Sequence, residues 1–390
     1  KYRKSFFPDH FYTFLYPYMR KLSVPNSASK ANTSRLHEFD YKIDQIYKDF
    51  DNISFYLGFK QGIEEIDRQN ASKKIKIQKE TIPLGLNLPG MNNHIPQSTS
   101  KIFGNGLNRN DCSSLVLLDL VLHSIRNTTR SSYRVKACYL ILAFAEQIHD
   151  EGKLDRCLPY LISVLDDPSE DVKVTALKCI TQLLCMVDAI SPVNNLIFSD
   201  YIIPKLEKFK KQSYNLSNVE SREHSDQGSY VRSVFAACLP HLAHCANKFS
   251  QMALLLKRHV QSTSYGQNRG IEKDDDDIHD SVFNIPIEEI SKRFELLATS
   301  ILTDSEPNVR IALLENISPL CAFFGKENTN NIILSHLLTY LNDRSLNSSK
   351  IRLAFVESIL SISIFVGVFS LEEYMLPLLI QTLYDPDESV

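Results

Sequence analysis

The stretch Leu158–Val172, LPYLISVLDDPSEDV, returns near the chain end as Leu376–Val390, LPLLIQTLYDPDESV, with nine of fifteen positions identical and no gap. Self-similarity of this kind marks a repeat architecture, in which one supersecondary unit is stacked on copies of itself. Each copy reads as the end of one helix, an Asp-Pro turn and the start of a second helix. Further copies emerge once the anchor is set as a β-branched aliphatic residue followed by a base. Val135-Lys136, Val172-Lys173, Val231-Arg232, Val309-Arg310 and Ile351-Arg352 fit, and Val390 closes the series.

The intervals between anchors are 37, 59, 78, 42 and 39 residues. Three approach the period of about 40 to 47 residues of HEAT and armadillo helix pairs, and the two long ones contain polar insertions. Each second helix must bury one stripe, and apolar residues at offsets of four, eight and eleven from an anchor share a face at 3.6 residues per turn. The chain supplies Val172, Ala176, Ile180, Leu183; Val231, Phe235, Leu239, Leu242; Val309, Leu313, Ile317, Leu320; and Ile351, Phe355, Ile359, Ile362. The Val135 copy fits less well because Glu146 stands at offset eleven; Cys138, Leu142 and Ala145 offer a neighbouring stripe. The expected fold is therefore all-α, a HEAT/armadillo-like α-solenoid of stacked helix pairs with long disordered insertions.

The turns repeat as well. Asp167, Asp304 and Asp385 each fall five residues before an anchor, where a carboxylate accepts backbone N–H bonds and favours the positive end of the following helix. Lys173, Arg310 and Arg352 are in reach of an aspartate of the adjacent repeat, giving a ladder of ion pairs. Exposed pairs of this kind contribute at most about 1 kcal/mol each, so the ladder is expected to fix register more than to stabilise. Pro240 and Pro319 are expected in helix interiors, where they would bend the stack.

A net charge of −3 carries no electrostatic invitation to nucleic acid, and 43% hydrophobic residues suffice for burial. No run of 18 uncharged apolar residues occurs, and the beginning KYRKSFF lacks the apolar region of a signal peptide. Eight cysteines without a CxxC pair read as reduced, small core residues of a cytosolic protein. The chain starts at Lys1 and stops where the register opens a second helix, which is the expectation for a piece of a longer protein.

The domain reading runs as follows. Residues 1–22 form an aromatic helical segment, 23–39 a mobile linker, 40–69 a helical segment with Asp40 as its cap, and 70–111 a mostly disordered linker containing IPLGLNLPG. The solenoid occupies 112–390, with insertions at about 211–229 and 257–280, the second carrying the acidic run Asp274 to Asp277.

Chemistry is sparse. Cys238, His241 and Cys245 share a helix face with His244 nearby, but they span two turns, about 10 Å, so one zinc would take only adjacent ones; packing is the better reading. Asp274 to Asp277 lack the alternating spacing and distal Glu of a calcium loop. Lys73, Lys74, Lys76 and Lys79, and Lys205, Lys208, Lys210 and Lys211, are basic clusters suited to anionic lipid, and also to solvated surface. Gly104-x-Gly106 lacks the strand and the Lys-Ser/Thr of a phosphate cradle. GxSxG, HExxH, HRD and DFG are all absent, so no catalytic, cofactor-binding or metal-ligating residue is assigned and no cofactor is expected.

Several segments go beyond generic repeat physics: FFPDHFYTFLYPYMRKL, DYKIDQIYKDFDNISFYLGF, SIRNTTRSSYRVKACYLILAFAEQIHDEGKLDRCLPYLISVLDD and ISPVNNLIFSDYIIPKLEKF. Together they resemble the region after the kinase-like domain in the large regulatory subunit of the class III phosphatidylinositol 3-kinase of vacuolar protein sorting. Tyr133 to Asp167 is the most specific part. The resemblance implies a non-catalytic scaffold between a protein-kinase-like domain and a WD40 propeller. It implies docking of the lipid kinase catalytic subunit together with a Beclin-like subunit, in autophagy and endosomal or vacuolar sorting. It further implies a cytoplasmic protein peripheral on endosomal, Golgi, vacuolar or autophagosome-forming membranes, through a myristoylated N-terminus outside this sequence. The rival expectation is a karyopherin-like or phosphatase-scaffold HEAT adaptor.

Overall fold

The computed structural model describes residues 16–23, 38–50, 109–191, 194, 196–215, 228–267, 287–340, 348–385 and 387. Among them no strand occurs, and the chain is an all-α solenoid of helix pairs. It divides into two units, Lys1–Ala189 and Ile190–Val390. Val390, Lys73 to Lys79, IPLGLNLPG, Gly104 and Gly106 and the run Asp274 to Asp277 lie outside the described residues.

The first unit comprises α1 (Tyr16–Ser23), α2 (Glu38–Lys48), α3 (Arg109–Ile125), α4 (Ser131–Ala145), α5 (Leu158–Val164) and α6 (Glu170–Cys185). Helix α4 packs on α3 and on α6, and α6 also lies against α5. α6 begins after an extended Ser169, carries Glu170 and Asp171 in its first turn, where negative charge suits the helix dipole, and contains neither Gly nor Pro. Its stripe Val172, Ala176, Ile180 and Leu183 is buried throughout. In α4 the anchor Val135 is partly exposed, while Cys138, Leu142 and Ala145 are buried. With Glu146 at offset eleven, the helix turns the neighbouring stripe inward and leaves Glu146 at the surface, although partial burial of its carboxyl raises its pKa to about 7.

Helix α2 covers α3 and α4 through the buried Ile43 and Ile46. Asp40 is not the cap of this helix, which starts two residues earlier. Its carboxylate instead accepts the Thr129 N–H at 2.9 Å and the Thr129 hydroxyl at 2.6 Å, serving the turn that leads into α4. The remainder of the expected helical segment 40–69, after Phe50, lies outside the described residues.

The second unit comprises α7 (Ile203–Asn215), α8 (Ser229–Gln267), α9 (Ile287–Leu302), α10 (Pro307–Leu314), α11 (Ser318–Asn328), α12 (Ser335–Tyr340), α13 (Ser348–Val366) and α14 (Leu376–Thr382). α8 packs on α9, α10 and α11, and α13 on α10, α11 and α12. All three stripes anchored at Val231, Val309 and Ile351 are buried. Three boundaries differ from the sequence expectation. α7 continues through Asn215 and α8 through Gln267, because the polar residues after 257 include no proline and polarity alone does not end a helix. Likewise α3 starts at Arg109, inside the expected linker. Pro240 does sit inside α8, but Pro319 occupies the first turn of α11. The chain turns at Glu315 and Asn316, and a proline is tolerated in a first turn because its missing N–H would have no partner there.

The first helix of most pairs opens with a widened π turn: Lys153–Cys157 before α5, Ile197–Ile202 before α7, Thr329–Leu334 before α12 and Leu371–Met375 before α14. Proline explains three of these. Pro159, Pro204 and Pro377 cannot donate to the carbonyl four residues back, and their rings crowd it. The residue before each instead bonds five back, Leu158 to Lys153, Ile203 to Phe198 and Leu376 to Leu371, which opens the turn around the ring. The α12 turn is followed by Ser335 and His336, and the structure offers no such reason for it.

Gly325 and Gly367 turn the chain from one repeat into the next with φ of 71° and 86°. Both stand sixteen residues after an anchor. Nothing lies within 4 Å of where a Gly325 Cβ would be, so Gly325→Ala isolates the backbone cost. Urea unfolding should show it destabilised by about 1–3 kcal/mol; an unchanged midpoint would refute the positive-φ junction.

Candidate functional site

Three aspartates and three arginines define the edge where repeats meet. Asp167 accepts the Ser169 N–H at 2.8 Å, Asp304 the Glu306 N–H at 2.9 Å and Asp385 the Asp387 N–H at 2.9 Å. Each is an Asx turn, and those at Asp167 and Asp304 close the corner just before a second helix. The other face of each carboxylate meets an arginine from the second helix of another pair. Arg134 places Nε 2.6 Å from Asp167 Oδ2 and Nη2 3.2 Å from Oδ1. Arg352 places Nε 2.6 Å from Asp385 Oδ2 and Nη2 2.9 Å from Oδ1. Arg232 reaches Asp304 Oδ2 through Nε at 3.1 Å. The two-pronged Arg352 fork fixes orientation as well as distance.

Of the residues anticipated for a ladder, the structure brings Arg352 and Asp385 together. Asp167 pairs with Arg134, and Asp304 with Arg232. Lys173 belongs to none of these three pairs, and the guanidinium of Arg310 lies 5.3 Å from the centroid of the Tyr340 ring. The sequence signal for the true partners is an arginine next to the anchor on either side: Arg134 precedes Val135, whereas Arg232 and Arg352 follow theirs. Another fork, Arg293 Nε to Glu207 Oε1 at 2.8 Å and Nη2 to Oε2 at 3.1 Å, joins α9 to α7. It has no counterpart in the repeat register.

Arg352 and the Asp387 N–H hold the Asp385 carboxyl below its usual range. A carboxylate whose folded value is depressed contributes stability that is present above the unfolded value, about 3.9, and is lost as pH falls through the folded one. Arg352→Gln should therefore flatten the acid limb of the stability–pH curve below about pH 4. Identical limbs for variant and parent would show that the fork is not formed in solution.

Reactive groups are not gathered anywhere among the described residues, and no three His, Cys, Asp or Glu side chains there are placed to share a metal ion. Cys238 and Cys245 are buried, whereas His244 is exposed. Burial holds His241 below the usual histidine range. Cys138, Cys157 and Cys321 are buried thiols pushed up to about 12, so they remain protonated; Cys185 is exposed. On α7 and the turn before it, Tyr201, Lys205, Lys208 and Lys211 follow helical spacing along one side, while Ile202, Ile203, Leu206 and Phe209 are buried on the other. No helix among the described residues is long and apolar enough to cross a membrane.

Stacked helix pairs joined by Asx turns and arginine–aspartate pairs define a HEAT-type helical-repeat fold. Residues 117–390 match the family model described as PIK3R4-like, middle domain, and the chain belongs to this family. It is 44% identical over 342 residues to the putative serine/threonine-protein kinase VPS15 of Komagataella pastoris, covering 88% of this chain and 22% of that protein. With serine/threonine-protein kinase VPS15 of Saccharomyces cerevisiae it shares 33% identity over 354 residues, 87% of this chain and 23% of the relative. With probable serine/threonine-protein kinase vps15 of Dictyostelium discoideum the identity is 29% over 359 residues, 90% and 17% respectively. The chain thus spans about a fifth of the length of these curated relatives. They are named as kinases; the part matched here is the middle domain of a PIK3R4-like protein.

Proposed function

We propose that this chain is the scaffold segment of the regulatory subunit of a class III phosphatidylinositol 3-kinase complex. In this reading it bridges a kinase-like domain and a WD40 propeller and docks the lipid kinase catalytic subunit beside a Beclin-like subunit, serving autophagy and endosomal or vacuolar sorting. Membrane association is then peripheral and belongs to the complex, and the segment itself carries out no phosphotransfer. The observation that carries the reading is the family match over residues 117–390. The arginine–aspartate pairs support it, because a register fixed at those junctions within each unit keeps the local surface in one shape for a partner.

The test is copurification of the 390-residue chain with recombinant class III catalytic subunit and Beclin-like subunit. Retention of the lipid kinase, without phosphate transfer by the chain alone, is expected. Failure to retain it, or recovery of transport cargo from cytosol in its place, would favour a karyopherin-like adaptor.

A further inference from the structure

Thr129 is an exposed residue in the turn between α3 and α4. Its hydroxyl and its N–H both donate to one carboxylate, that of Asp40 in α2, at 2.6 and 2.9 Å. The turn is strongly basic: from Arg126 to Lys136, RNTTRSSYRVK, there are four bases and no acid, in a chain whose net charge is −3. The acids come from other elements. Asp40 and Asp44 of α2 meet Thr129 and Lys136, and Asp167 meets Arg134. α2 is thus a strap that lends its carboxylates to this turn, and of its eleven residues only Asp40, Ile43 and Ile46 are buried. A helix held by so little buried surface opens at a lower free energy than the repeats beneath it.

The turn also has the make-up of a kinase substrate. Basophilic serine/threonine kinases choose their substrates by charge pattern, commonly an arginine three residues before the acceptor, and Arg126 holds that place before Thr129. Such a stretch must be drawn out straight in the kinase. Arg126 to Arg130 lies wholly between the end of α3 at Ile125 and the start of α4 at Ser131, so no helix has to unwind. Ser131 and Ser132 lack both features, because Thr128 and Thr129 stand three residues before them and they already belong to α4.

We propose that Thr129 is a phosphorylation site for a basophilic serine/threonine kinase, and that its modification releases α2 from the repeats. The γ-phosphoryl group of ATP passes to Thr129 Oγ1, the hydroxyl proton goes to the kinase's base, and ADP leaves. Transient opening of α2 presents the hydroxyl for this transfer. Afterwards the donor to Asp40 is gone, and a group of charge about −1.5 to −2 stands against that carboxylate, so the strap is repelled where it was held. Arg126 and Arg130, both exposed, flank the phosphate with positive charge and favour the released state.

The experiment treats the 390-residue chain with calmodulin-dependent protein kinase II and ATP, maps the phosphate by mass spectrometry and follows amide exchange. Thr129 should be modified, and Arg126→Gln should slow its modification about tenfold or more, the loss of one charge-assisted contact. Amides of Glu38–Lys48 should then exchange about tenfold faster or more, with those of α6 unchanged. In Asp40→Asn, whose side-chain amide donates to a phosphate instead of repelling it, phosphorylation should no longer speed that exchange. Asp44→Asn, which weakens α2 through its Lys136 pair, should keep the effect. Failure of the kinase to modify Thr129, in the chain or in a peptide spanning Arg126–Lys136, would overturn the proposal. So would a phosphate on Thr129 that leaves α2 as protected as before, or that speeds its exchange equally in Asp40→Asn.

Discussion

Asp304→Ala is expected to lower the unfolding free energy by about 3–5 kcal/mol, because it strands a buried guanidinium. The Asp304 side chain is fully covered and that of Arg232 is 7% exposed, so water cannot replace the lost partner. Two further consequences point the same way. The Glu306 N–H loses its acceptor, loosening the corner between α9 and α10. The start of α8 also loses a contact that holds it in register against that corner. Asp304→Asn separates these effects, since its side-chain oxygen can still accept the Glu306 N–H while the charge is gone. The contrasting variant is Asp119→Ala, which removes a pair whose side chains are 53% and 56% exposed; exposed pairs contribute about 0–1 kcal/mol. Urea titrations of the three variants, followed by circular dichroism, decide the matter. If Asp304→Ala and Asp119→Ala shift the midpoint equally, the junction is not held by its buried charge.

Much of this fold was legible because periodicity is a global signal. Four stripes of four apolar residues agree on one helical face, and all four are buried. The aspartates were legible too, since an Asx turn needs that residue type at a fixed distance from the helix it precedes. Their partners were less so: an arginine one residue before or after an anchor points differently around the helix, and only packing decides which side chain arrives. Periodicity therefore does not single out Arg134 or Arg232 over Lys173 or Arg310. The prolines at 159, 204 and 377 read as ordinary first-turn residues, because a widened turn leaves no compositional trace beyond the proline itself. Gly325 and Gly367 did leave a trace, an aromatic- or valine-flanked glycine sixteen residues past an anchor. Asp40 shows the opposite limit: a capping residue type was recognised, but the turn it serves lies 89 residues along the chain.

Phe144→Ala should cost about 3–5 kcal/mol, the range for emptying a fully covered aromatic site. Part of that cost reports on how α2 attaches to the solenoid. The Phe144 ring is 0% exposed and meets Phe50 edge to face at 5.8 Å between centroids, just after α2 ends at Lys48. The same segment is held by the Asp40 bonds to Thr129 and by Lys136, whose ammonium lies 2.5 Å from Asp44 and 5.4 Å from the centroid of the Tyr47 ring. These contacts place α2 over α3 and α4 as a cover for the first repeat, with Ile43 and Ile46 of α2 and Phe144 of α4 buried. A double-mutant cycle with Phe50→Ala tests the cover directly: ring pairs of this geometry couple by about 0.5–1.5 kcal/mol. Additive losses would mean that the α2 segment leaves the repeats in solution, and the first repeat would then need another partner for the face that Phe144 occupies.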